Sequence, residues 1–152
     1  MPRTRTEPLT PTPYSFLNRE AYFAELGKYL PFDPVPDGPP SATPTQQIEY
    51  PVEVELLGWL LEPPVYCSYS VAVGSFTASG HAQAFTAEAV CDLDGDGILM
   101  AWGYVRPDRD SGEVVPGPFG RCAAEGAIDK SSGQPRPAMV GPCDARSGYD
   151  VF

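Results

Sequence analysis

The stretch VCDLDGDGILMAW, Val90 to Trp102, sets Asp92, Asp94 and Asp96 on alternate positions ahead of an apolar run. Carboxylates at that spacing are hard oxygen ligands of the kind calcium takes. Against the twelve-position calcium loop they fill the first three ligand positions, with Gly97 at the glycine position and Ile98 at the backbone-carbonyl position. The twelfth position, which should carry a bidentate carboxylate, is Gly103, and the flanking sequence reads as strand rather than helix. Two readings follow. The stretch is a hairpin turn, since Asp-Gly pairs tolerate positive φ and acidic side chains bond their own backbone. Or the same turn holds calcium through Asp92, Asp94, Asp96 and Ile98, with Asp108 or Asp110 folding back to complete the shell.

Other residue types capable of chemistry are sparse. Cys67, Cys91, Cys122 and Cys143 form no C-x-x-C pair, and His81 is the single histidine, so zinc ligation at ordinary spacing is not expected. Two disulfides suit an even count of cysteines on apolar faces, and they imply an oxidising compartment. His81 stands beside Gly80 in an expected hairpin turn without a nucleophile or orienting carboxylate nearby, which argues against an enzyme. Trp59 and Trp102 could form a sugar platform, but their apolar neighbours favour core packing. No cofactor is required by these features.

Net charge bounds the partners. Twenty acidic against 10 basic side chains give −10, which excludes an extended nucleic-acid or anionic-membrane surface. Arg3, Arg5 and Arg19 are too few to form an anionic-partner patch and are expected in solvent. With 152 residues, 42% of them hydrophobic, the chain suits one domain, while 19 prolines and 15 glycines demand long loops. No stretch approaches a membrane span, and no export signal follows Met1, so the implied oxidising compartment points to a piece of a longer protein.

The elements that must position these residues follow from pattern. Residues 1–13, with repeated Thr-Pro and Glu-Pro pairs, read as a flexible leader, and residues 14–152 as the globular domain. Thr12 caps a helix reaching about Tyr29, with Phe16, Phe23, Leu26 and Leu30 on one stripe. Residues 31–51 show neither period and read as a long loop. VELLGWLLEPP, with Leu56, Leu57, Trp59 and Leu60, reads as a core plug. In VYCSYSVAV, Val65, Cys67, Tyr69, Val71 and Val73 share an apolar face; in QAFTAEAVC, Phe85, Ala87, Ala89 and Cys91 do, leaving Thr86 and Glu88 on a polar one. Paired antiparallel, these strands set Cys67 opposite Cys91 for a cross-strand disulfide, leaving Cys122 to Cys143 by elimination. ILMAWGYV, apolar on both faces, reads as a central strand. No internal repeat is evident.

The succession EAYFAELGKYL, LGW, VYCSYSVAV and SFTASGHAQAFTAEAVCDLDGDG, from Asn18 to about Tyr104, resembles the globular domain of bacterial type IV pilins and pilin-like proteins, particularly those of myxobacteria. The resemblance implies an α+β fold: an N-terminal helix packed on an antiparallel sheet of about four strands, with long loops and two disulfides. It implies a structural filament subunit, major or minor, on the cell surface or in the periplasm before assembly, with other pilin subunits or a hydrophobic stem as partners. The hydrophobic stem of that family does not precede Asn18. The stem is then removed, carried by another chain of a split pilin docking on Phe16, Phe23 and Leu26, or dispensable in a non-polymerising relative. The Cys122 to Cys143 loop becomes the variable, outward-facing region. The rival expectation is a free secreted or periplasmic binding module, calcium-dependent at the acidic turn.

Overall fold

A computed structural model describes residues 29–58, 61–76, 83–122 and 127–147. The expected N-terminal helix with Phe16, Phe23 and Leu26, together with Trp59, Leu60 and His81, lies outside the described residues. Within them the chain is an antiparallel sheet with one short helix: β1 Phe32–Val35, α1 Val52–Leu56, β2 Cys67–Gly74, β3 Ala84–Cys91, β4 Met100–Arg106, β5 Ala127–Ile128, β6 Pro135–Arg136 and β7 Gly141–Pro142. Five strands form the main sheet in the order β1-β2-β3-β4-β7, and β5 and β6 make a separate small ribbon.

In the meander β2-β3-β4, Cys67 lies opposite Cys91 as expected, and the β3-β4 pairing sets Cys91 opposite Met100. Alternation explains the first face. Tyr69, Val71, Val73, Phe85, Ala87 and Tyr104 point to one side and pack with Tyr29, Phe32, Val35, Val54, Leu57 and Leu61. Aromatic rings run across this face: Tyr29 meets the Phe85 ring edge-on at 4.6 Å between centroids, and Phe85 stacks on Tyr104 at 5.5 Å. Tyr29, the last residue of the expected helix, is therefore a core residue.

Three expectations are corrected. Residues 31–51 are not all loop, because Phe32–Val35 pairs with β2 as an edge strand. Pro34 hid it; proline is tolerated at an edge, where one side of the backbone needs no partner. The plug at residues 54–61 buries Val54, Leu57 and Leu61, but Leu56 is 60% exposed because it falls on the outer side of α1. The strand buried on both faces is β3, not β4, whose residues alternate between buried and half-buried.

The last correction has the largest consequence. The polar side of β2 and β3 is covered: Ser68, Ser70, Thr86 and Glu88 are at most 2% exposed. Ser68 donates to the Pro36 carbonyl, while the C-terminal segment lies over Thr86 and Glu88 and zips along the free edge of β4. Ala138 N–H donates to the Val105 carbonyl, Cys143 N–H to the Ala101 carbonyl, and Ala101 N–H to Ser147 Oγ. Val90, Ala101 and Val105 there pack against both sulfurs of the Cys122–Cys143 disulfide, with Leu99, Val114 and Phe119 around them. Gly103 makes the approach possible: a Cβ at this position would collide with Cys122 Sγ and the Ala87 carbonyl. Gly103→Ala should lower stability by about 3 kcal/mol, the cost of overpacking a closed core, read as a shift in urea midpoint with the disulfides intact. A change under about 0.5 kcal/mol would show that the second layer yields easily.

Candidate functional site

Asp92 directly follows β3 and is 6% exposed. Its Oδ1 accepts the Gly95 N–H at 2.9 Å and its Oδ2 the Gly97 N–H at 3.1 Å. Asp94 Oδ1 accepts the Asp96 N–H at 3.3 Å, and Asp96 Oδ1 the Ile98 N–H at 2.7 Å. Gly95 and Gly97 both take positive φ, as the turn reading requires. The three aspartates also each bring an oxygen to within 4.8 Å of the others'. That spacing fits part of a calcium shell. Neither Asp108 nor Asp110 completes it: they follow the far end of β4, roughly 20 Å of strand away at ~3.3 Å per residue. Ile98 contributes its N–H to the turn and leaves its side chain 46% exposed.

A second carboxylate, Glu88, was assigned to the polar face by alternation and proves to be the most connected side chain beneath the C-terminal layer. Its Oε2 accepts the Phe119 N–H at 2.7 Å; its Oε1 accepts those of Arg121, at 2.8 Å, and Cys122. Gly117 is required opposite it, since a Cβ there would overlap the carboxyl group. Glu88 also lies with Cys122 and Cys143 in a group whose ligand atoms fall within 4.8 Å, but both sulfurs are joined to each other. The carboxyl group therefore works as an anchor for a loop that has no regular partner of its own.

The same device recurs in the loops. Asp108 Oδ1 accepts the N–H groups of Asp110 and Ser111, Asp129 Oδ1 those of Ser131 and its hydroxyl, and Asp144 Oδ1 those of Arg146 and Ser147. Two of these loops are built alike: Asp108 N–H donates to the Glu113 carbonyl and Gly112 N–H returns to Asp108, as Asp129 does with Gln134 and Gly133. The sequence signal is Asp-x-x-Ser-Gly, at 108–112, 129–133 and 144–148, a short repeat that hydrophobic periodicity does not reveal. Asp144 Oδ2 further accepts from Ser147 Oγ and from Arg121, whose guanidinium lies 2.8 Å away beside the disulfide.

These bonds hold three acids below the usual carboxylate range. For Asp108 the Ser111 amide is the main cause, and for Asp129 the Ser131 hydroxyl. For Asp144 burial pushes upward, yet the Arg121 guanidinium and the Ser147 amide and hydroxyl outweigh it. Trp102 is half-buried, with Lys130 Nζ 5.1 Å from its ring centroid, so an ammonium occupies the face a sugar would need.

Both disulfides expected from the sequence are present, Cys67–Cys91 and Cys122–Cys143, closing loops of sequence separation 24 and 21. Each adds about 3 kcal/mol in the chain-entropy picture. Comparison with family models, with curated proteins and with solved structures finds no match to this chain.

Two outcomes follow. Glu88→Ala should cost about 3 to 5 kcal/mol, because three amides lose their shared acceptor, while Glu88→Gln, which keeps one carbonyl, costs less; denaturant unfolding of both ranks them. The depressed acids stabilise the fold above their unfolded value of about 3.9. That contribution is lost as pH falls through their lower folded values. The amide resonances of Ser111, Ser131 and Ser147 should therefore stay native at pH 5 and shift below about pH 4.

Proposed function

We propose that this chain is a pilin-like structural subunit of an extracellular type IV pilus-like filament, a major or minor pilin or one half of a split pilin, acting through assembly and surface display. The observation that carries the reading is the order of layers on the meander. Chain entering at Tyr29 covers one face, the acidic turn joins β3 to β4, and a loop closed by its own disulfide covers the other face. The sequence resemblance runs through the same succession up to Tyr104. Two disulfides are those of a protein matured in an oxidising compartment, the cell surface or the periplasm before assembly. Among the described residues no helix is long and apolar enough to cross a membrane, so in this reading anchoring falls to a stem that docks on Phe16, Phe23 and Leu26.

The C-terminal loop differs from a freely projecting one. Its ends are buried, with Cys122 at 1% and Cys143 at 6% exposure, while residues 130–134 and 136–138 are exposed. Display from a clamped loop presents a fixed shape, which suits repeated contacts along a filament. A second reading is favoured by the convergence of Asp92, Asp94 and Asp96: a free secreted or periplasmic binding module that uses calcium and does not polymerise.

Mass spectrometry of filaments sheared from the source cells separates the two. The filament reading expects abundant peptides of this chain, with or without a stem joined to its N-terminus. Peptides confined to the soluble periplasm or medium, together with micromolar calcium binding lost in Asp94→Asn, would favour the binding module instead.

A further inference from the structure

Charge is unevenly divided along the chain. No lysine or arginine occurs between Lys28 and Arg106, and ten of the 20 acidic residues fall in that interval. Among the described residues, the ion pairs Arg121–Asp144 and Arg136–Asp129 both belong to the C-terminal layer. Glu53 and Glu55 of α1, and Glu49 and Glu62 beside it in sequence, have no cationic partner among the described residues.

Helix α1 turns its two faces to different purposes. Val54 is fully buried and Leu57 7% exposed, so they seat the helix on the first face of the sheet. Val52 and Leu56, four apart and hence neighbours on the opposite side, are 59% and 60% exposed. At 100° per residue Glu55 falls on one flank of this pair and Glu53 on the other. The result is an apolar couple between two carboxylates, with Glu49 and Glu62 close by in sequence and exposed.

We propose that this outer face of α1 is a docking surface for a cationic amphipathic helix of a partner protein. Leucine-type side chains of the partner cover Val52 and Leu56, and its flanking lysines or arginines meet Glu53 and Glu55. Complementarity selects this occupant. A second copy of the same face would set carboxylate against carboxylate, and an anionic or neutral apolar segment would bring no cation to these four acids. The proposal is independent of the filament reading.

The test uses the full chain and two synthetic helical peptides of identical apolar pattern, one bearing lysines and the other glutamates, titrated by calorimetry at 50 and 500 mM salt. The lysine peptide should bind saturably, at least tenfold more weakly at high salt, and the glutamate peptide should not bind. Val52→Ser with Leu56→Ser, and separately Glu53→Gln with Glu55→Gln, should each weaken binding tenfold or more at unchanged unfolding midpoint. Asp94→Asn with Asp96→Asn, at the acidic turn, should leave it unchanged. Binding of both peptides alike, loss of binding only in the acidic-turn variant, or a dimer dissolved by Leu56→Ser would each overturn the proposal.

Discussion

The second layer of this protein depends on one buried carboxyl group. Glu88 projects from the middle strand toward residues 117–122, which form no helix or strand, and accepts the N–H groups of Phe119, Arg121 and Cys122. Irregular backbone laid on a sheet leaves amides without partners, and each such amide removed from water costs free energy unless an acceptor is supplied. One carboxyl group accepting from three of them offsets that cost at a single point. Gly117 and Gly103 leave the space the carboxyl group and the adjacent disulfide occupy. Cys122 is held twice, by its sulfur and by its amide, so the loop's entry to the sheet is fixed.

The aspartate loops apply this solution at smaller scale. Asp92, Asp108, Asp129 and Asp144 each gather backbone amides of the residues that follow. A chain rich in proline and glycine thus gains order in its loops, whose turns are closed by side chains rather than by ladders. The net charge of −10 reflects this use in part, since acids that shape loops are needed whatever the partner. Among the described residues, Glu53 and Glu55 of α1 close no such loop, and the proposed docking surface uses them instead.

What was legible in the sequence was what alternation, cysteine position and turn chemistry encode. Strands β2 and β3 and their register at Cys67 and Cys91 follow from period-two patterning, the acidic turn from its Asp-Gly pairs, and β4 only from an unbroken apolar run. The first strand was hidden because Pro34 and a span of four residues give too short a pattern to register. Glu88 was placed on the correct face and the wrong environment. Alternation tells which residues share a side, but not what comes to lie on it, and the covering segment is irregular and distant in sequence. Nor does sequence periodicity distinguish Leu56, facing outward, from Leu57, facing the core.

The pilin-like reading and the two-layer architecture meet in the clamped C-terminal loop, whose fixed shape would be the part a filament displays. The most direct test of that clamp is native-state hydrogen exchange. If Glu88 locks the layer to the sheet, the amides of Phe119, Arg121 and Cys122 exchange only with the same opening free energy as the β3 amides, through global unfolding. Exchange of those three amides a hundredfold or more faster than β3 would contradict the account, showing a loop that lifts while the sheet stays folded.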